Sequence, residues 1–388
     1  MGFNMYSPTR IIFGCGELKN LHTLRMPGKN ALIVISDGKT AYVNGGLEQL
    51  KKELASLNVS YAIYDKVHQN PTDTMVDDGV DFARAQGCDF VIALGGGSVM
   101  DVGKAISLMV PQEHRYWHYV DHNEDIKHEW LPVITIATDA GTGSDSDPYM
   151  CIVNWEKHVK RGLPNTKIIG TFPAYAILDP ELMTTVPPDF TAYQGFDTLF
   201  HAVEGYICNK SNIMSDMYAI TSIKTVAENL AVAVRDGNNM QAREMMAFAN
   251  HLSSIVMFVS YTCSQHSIEH GMGAYHLELP HGAGILSFCK EYFKFFVERH
   301  ACDDRFIAMA RVMGKPDSKD PVDFIRALDA LMESCGVSEI KMSDFGISHD
   351  ELPKFIDSSF ETNGPGYLND RVLLNREDAI GILERSYK

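Results

Sequence analysis

Apolar positions along the chain follow two regimes. Up to about residue 180, short β-branched and aliphatic runs recur: RIIFG, NALIVIS, SYAIYDKV, DFVIALGGG, LPVITIAT and YAILDP. Runs of this length, bounded by turn-forming residues, predict strands. Between them, GLEQLKKELASLN and MVDDGVDFARAQG carry apolar residues at three- and four-residue spacing, which predicts helices with one buried face. Strand–helix alternation of this kind predicts a parallel, Rossmann-like α/β sheet covered by helices on both faces. Ligands of such sheets bind beyond the carboxyl ends of the strands.

After DPELMTTVPPDF the pattern changes to long helical periodicity, as in NIMSDMYAITSIKTVAENLAVAVRDG and PVDFIRALDALMESCG. The Pro187-Pro188 pair suits a link between domains. The expected organisation is an α/β domain over 1–183 and an all-α domain over 184–388. A chain of 388 residues with 45% apolar and 22% charged residues supports that division. The net charge of -16, with basic residues scattered, argues against a nucleic-acid partner. The run MGFNMYSPTRIIFG has no secretory leader pattern, and no apolar run approaches bilayer length. The eight cysteines lie far apart without a CxxC and read as reduced core residues. The expectation is a cytoplasmic protein with no membrane partner, assembled as a homo-oligomer, a dimer.

Two glycine-rich loops suggest an anionic ligand. DFVIALGGGSVMDVGKAISLM runs a buried strand into Gly95, Gly96 and Gly97, with a helix opening at Ser98. Glycines admit close approach, and the helix start presents free N–H groups to a pyrophosphate. Neither GxGxxG nor a Walker lysine pattern is present. The plainer alternative is a tight turn in which Ser98 caps the helix and Asp101 completes the capping box. TIATDAGTGSDSD supplies a second loop after the next strand, and two such loops favour a dinucleotide. Asp37, ending NALIVIS, is placed either to accept from ribose hydroxyls and repel a 2′-phosphate, or as a turn residue.

The second half carries candidate metal ligands. QGFDTLFHAVEGY spaces Asp197 and His201 at i, i+4 among apolar neighbours, on one face of a helix. SQHSIEHGMGAYHLELPHGAG repeats that spacing with His266 and His270, then adds His276 and His281. One carboxylate and three imidazoles suit Fe2+ or Zn2+ with an open position. HSIEH also matches the H-x-x-E-H metalloprotease pattern with Glu269 as base, but that reading explains neither Asp197 and His201 nor the glycine loops.

Taken in order, PTRIIFG, NPT, GGGSVMDVGKAI, AGTGS, ILDPEL, DTLFHAVE, HSIEH and PHG make the chain resemble the iron-containing alcohol dehydrogenases, essentially end to end. The resemblance implies Asp197, His201, His266 and His281 as metal ligands, with His270 beside the metal near nicotinamide and substrate. It implies Gly95, Gly96, Gly97 and Ser98 at the cofactor pyrophosphate, with Asp101 in the same segment. Asn70, Thr138, Thr142 and Lys160 are implied as further cofactor contacts, and Asp37 near the adenosine ribose. Three departures stand out. The His270–His281 interval is one residue longer than usual, Asp145 replaces the usual Glu, and Gly103 replaces the usual Ala.

The implied activity is metal-dependent hydride transfer between a primary alcohol, short diols included, and its aldehyde. NAD is the expected cofactor, with NADP left open, and one Fe2+ or Zn2+ activates the substrate oxygen. The alternatives are a polyol (glycerol-type) dehydrogenase or a dehydroquinate-synthase-like enzyme.

Overall fold

The computed structural model describes residues 2–127, 129–163 and 169–388. They divide into two compact units. The first holds Tyr6–Glu156 and Arg161–Val186; the second holds Pro187–Lys388, Lys157–Lys160 and the N-terminal residues up to Met5. The division thus falls at Val186/Pro187 and not at the expected Met183. Just before it, the Asp179 carboxylate accepts from the N–H groups of Gly16 at 2.9 Å and Leu18 at 3.0 Å and ties the 3-10 turn Pro180–Met183 to the first unit.

The strands of the first unit are β1 (Arg10–Phe13), β2 (Asn30–Ser36), β3 (Ser60–Val67), β4 (Phe90–Gly95), β5 (Val133–Ala137), the short β6 (Ile152–Asn154) and β8 (Tyr175–Leu178); the short β7 (Val159–Arg161) begins in the Lys157–Lys160 segment of the second unit and ends in the first. The six longer apolar runs of the sequence form one parallel sheet in the order β1-β8-β5-β4-β2-β3. Its helices are α1 (Thr40–Val43), α2 (Gly46–Ser56), α3 (Asp73–Gln86), α4 (Gly97–Met109) and α5 (Tyr116–His122).

β4 and β5 are buried at every residue, whereas the edge strand β3 exposes much of its length. Central strands of a parallel sheet are covered on both faces, so their apolar runs are continuous. One face packs Ile33, Ile35, Ile92, Leu94 and Ile136 against Leu47, Leu50 and Leu54 of α2. On the other face, α4 lies so close to β4 that a Cβ on Gly103 would meet the Cβ of Ala93 at 2.7 Å. The Gly103 departure therefore has a packing reason.

The second unit is helical: α6 (Pro188–Ile207), α7 (Ile213–Arg235), α8 (Met240–Ser260), α9 (Ser264–Gly273), α10 (His281–Leu286), α11 (Cys289–Glu298), α12 (Asp303–Val312), α13 (Val322–Ser334), α14 (Leu352–Tyr367) and α15 (Arg376–Ser386). Pro188 opens α6, where a missing N–H costs nothing. Asn212, Asn239 and Asn375 cap α7, α8 and α15 with their side chains. α6 is buried through its middle turns, from Gly195 to Gly205, which agrees with its apolar character all round. No helix among the described residues is long and apolar enough to cross a membrane. Five cysteines are buried as expected; Cys151 and Cys302 are partly buried, and Cys15 is exposed in the turn after β1.

Gly103→Ala tests the packing of α4. The helix gains about 1 kcal/mol of intrinsic propensity, but overpacking a close contact costs about 1–3 kcal/mol. The expected outcome is a net loss near 1 kcal/mol, read as a lower urea midpoint; an unchanged or raised midpoint would show that α4 has room to move.

Candidate metal centre and nucleotide loop

The sheet reverses its order of growth between β2 and β4: β3 lies outside β2, whereas β5 and β8 continue outward from β4. Crevices at such a reversal are where open α/β sheets bind ligands. Exposed Asp37 follows the carboxyl end of β2, and Gly95, Gly96 and Gly97 follow that of β4. Thr138 and Thr142 come to the same place, since the Thr138 N–H donates to Gly95 O at 3.1 Å and a Cβ on Gly97 would lie 2.4 Å from the Thr142 side chain. The two glycine loops are thus packed against each other.

Local detail differs from expectation at the helix start. The cap of α4 is Gly96, and Ser98 lies inside the helix, so the Ser98–Asp101 capping box is not formed. Asp101 instead accepts from the Ser144 hydroxyl and from Cys151 N–H at 2.8 Å, bracing the second loop. Asp139 is an addition that sequence reading passed over: its carboxylate accepts from the Gly97 N–H at 3.3 Å. Lys104, fully buried, donates to Ser144 O and Asp147 Oδ1, both at 3.0 Å, and fastens that loop to α4. Burial lifts the Asp147 carboxyl to about 7, even with Lys104 opposing it. Asn70 sits in the turn after β3 with a left-handed φ of 47°, a conformation Asn tolerates.

In the second unit, α6, α9 and α10 bring four side chains to one point. The Nε2 atoms of His266, His281 and His201 lie 3.3, 3.5 and 3.6 Å from a single oxygen, Asp197 Oδ1. The His201 and His266 rings stack at 4.3 Å between centroids. α10 approaches α6 closely enough that a Cβ on Gly282 would stand 2.2 Å from Tyr193 O, so the glycine of PHG is what lets His281 reach the cluster.

Each of two rings is backed by a carboxylate. Glu204, about two turns beyond Asp197 on α6, contacts His266 Nδ1 and also accepts from Cys263 N–H at 2.6 Å. Glu269 contacts His281 Nδ1, and Lys160 Nζ stands 3.2 Å from the same carboxylate oxygen. A carboxylate on Nδ1 fixes the tautomer that leaves Nε2 free to ligate. Sequence reading missed Glu204 as a participant, although it sits inside the quoted DTLFHAVE. The structure gives Lys160 to Glu269 and to the helical unit.

The charge of this interior bears on what it can hold. Asp197, Glu204, Glu269 and Lys160 are all buried, so three carboxylates face one ammonium and leave two negative charges. Burial opposes the charge on Asp197, but His201, His281 and His266 hold its pKa down to about 2. Burial likewise opposes a proton on His266, yet Glu204 and Asp197 push its pKa up to about 10. Nearby Asp370 is lifted to about 7 by burial and carries only part of a charge at neutral pH. A divalent cation with three neutral imidazoles balances such a site, so the donor set fits a metal.

His270 lies beside this cluster, its ring 5.8 Å from that of His281, and burial together with Lys160 lowers its pKa well below the usual value. His276 is drawn elsewhere, with Nε2 3.2 Å from Glu351 Oε1 and its ring edge-on to Phe355. The H-x-x-E-H reading needs Glu269 to activate a water. Fully buried and engaged with His281 and Lys160, Glu269 orients a ring instead.

Residues 8–180 match the iron-containing alcohol dehydrogenase family model, and residues 191–387 match the C-terminal domain model of the Fe-containing alcohol dehydrogenases. The chain belongs to this family. It is 32% identical over 280 residues to the NAD-dependent methanol dehydrogenase of Bacillus methanolicus, covering 72% of each protein. It is 30% identical over 352 residues to the 1,3-propanediol dehydrogenase of Citrobacter freundii, covering 89% of this chain and 88% of that one. The fold matches an archaeal halo-thermophilic alcohol dehydrogenase from a Red Sea brine pool with a TM-score of 0.92 at 28% identity, over 100% of this chain and 99% of the other. The protein is therefore an alcohol dehydrogenase that interconverts alcohols and aldehydes with a divalent metal and a nicotinamide cofactor. These matches favour that activity over the polyol and dehydroquinate-synthase-like alternatives.

Glu269→Ala in this dehydrogenase would remove the buried carboxylate that stands 3.2 Å from the Lys160 ammonium. Breaking one partner from a buried pair costs about 3–5 kcal/mol, whereas Glu269→Leu with Lys160→Met should recover most of that loss. Urea unfolding of chelator-treated protein measures both; equal stability of the two variants would mean the pair contributes nothing.

Proposed function

We propose that the enzyme acts on short primary alcohols and diols, with NAD in preference to NADP, and that Asp197, His201, His266 and His281 hold one Fe2+ or Zn2+. The observation that carries this reading is the convergence of three imidazole Nε2 atoms on Asp197 Oδ1 inside a doubly negative interior. A metal bound there polarises the substrate oxygen and lowers the pKa of an alcohol. The nicotinamide ring supplies the acceptor and donor of hydride.

The chain's own groups do the rest. Glu204 and Glu269 keep His266 and His281 with Nε2 inward, and Lys160 keeps Glu269 charged and in place. His270, held neutral by burial and Lys160, offers a ring nitrogen that can accept a hydrogen bond from an alcohol hydroxyl. Gly95, Gly96, Gly97 and Ser98 present backbone to the pyrophosphate; Asn70, Thr138 and Thr142 are proposed as further cofactor contacts. Asp101 supports that loop through Ser144 and Cys151. Asp37 accepts from ribose hydroxyls and disfavours a 2′-phosphate by like charge.

Chelation should abolish turnover and leave far-UV circular dichroism largely intact, because the helical unit has its own core and His266 takes up a compensating proton. Unfolding on chelation would instead make the metal structural. Among single variants, His266→Ala and His281→Ala should lose most bound metal, whereas His270→Ala should keep it and lose turnover. His276→Ala should match the parent in metal content; a reversed order between His276 and His281 overturns the ligand assignment.

Asp37→Gly addresses the cofactor preference. Removing the carboxylate should weaken NAD and relatively favour NADP, by about 1–3 kcal/mol in the ratio of kcat/KM values. An unchanged ratio would make Asp37 a turn residue only.

A further inference from the structure

The nucleotide-binding unit carries a second constellation of metal-ligating side chains, unrelated to Asp197. The run HRYWHYVDHNED places His114, His118 and His122 at successive intervals of four residues, the last two on α5 and the first in the turn before it. That spacing stacks them along one face. The His114 and His118 ring centroids are 4.0 Å apart, and those of His118 and His122 are 4.5 Å apart. Asn123 ends α5 in a left-handed conformation, φ 49°, and the reversed chain brings Glu124 back over the helix. Its Oε2 then lies 2.8 Å from His118 Nε2. One donor atom from each of His114, His118 and Glu124 falls within 4.8 Å of the others.

We propose that His114, His118 and Glu124, with His122 alongside, form a second metal site that takes a zinc-like divalent ion. Two imidazoles and a carboxylate select Zn2+, Cu2+ or Ni2+, whereas Mg2+ and Ca2+ require shells of oxygen. The partial exposure of His118 and Glu124, 31% and 49%, leaves room for water to complete the coordination. Glu113, Asp121 and Asp125 surround the site in sequence, and the chain's net charge of -16 raises the local concentration of cations. An ion there would link the last turn of α5 to the reversed segment behind it. It would also bind independently of the catalytic metal and appear as a second equivalent in metal analysis.

The test is a count of zinc on the full chain. Chelator-stripped parent protein, reloaded with Zn2+ and passed through gel filtration, should carry two equivalents by elemental analysis. His118→Ala and, as a second variant, His118→Gln should each carry one and keep the parent's alcohol dehydrogenase activity. Glu124→Ala should weaken zinc binding at this site by roughly tenfold in a titration. Protons compete with the metal for its ligands, so lowering the pH from about 7.5 to about 5.5 should release the second equivalent from the parent. A large excess of Mg2+ should not displace it. The proposal is overturned if parent and both His118 variants carry the same amount of zinc, or if excess Mg2+ displaces the parent's second equivalent.

Discussion

Asp197, Glu204 and Glu269 bury three negative charges in the helical unit against the single ammonium of Lys160. A protein interior does not tolerate that imbalance unless something positive shares it. Three imidazoles stand where the compensating charge is needed, and their geometry decides whether it arrives as a proton or as a cation. Because Glu204 and Glu269 occupy two Nδ1 atoms, the Nε2 atoms of His266 and His281 are turned toward one carboxylate oxygen. The arrangement of α6, α9 and α10 follows from this requirement. Gly282 allows the close crossing over Tyr193, and Glu204 accepts from the Cys263 N–H before α9 while it orients His266 on that helix.

The α/β unit solves a different problem, that of packing two glycine loops together without wasting buried polar groups. Its central strands are apolar on both faces, and the reversal between β2 and β4 leaves their carboxyl ends at a crevice. Close packing of the two glycine loops depends on missing side chains at Gly96 and Gly97, beside Asp139 and Thr142. A buried ion pair between Lys104 and Asp147, with Asp101 held by Ser144 and Cys151, keeps the second loop in register with α4. Stiffness of this kind lets a loop present N–H groups without paying an ordering cost at each binding event.

All six strands of the parallel sheet, the helical character of the second half and the pairing of Asp197 with His201 were legible in the sequence. Periodicity and i, i+4 spacing are local properties, and local geometry is carried by adjacent residues. What stayed hidden depended on partners distant in the chain. Glu204 belongs to a quoted motif, but only the crossing of α6 with α9 brings it to His266. Glu269 sits in HSIEH, where spacing alone suggests a protease base, and its contacts with His281 and Lys160 come from two remote segments. Ser98 reads as a cap by residue type, yet the backbone at Gly96 takes that position. Sequence by itself determined which elements form and which side chains share a face. The tertiary structure alone decided which buried charges meet, because electrostatic balance in a low-dielectric interior is set by distances across the fold.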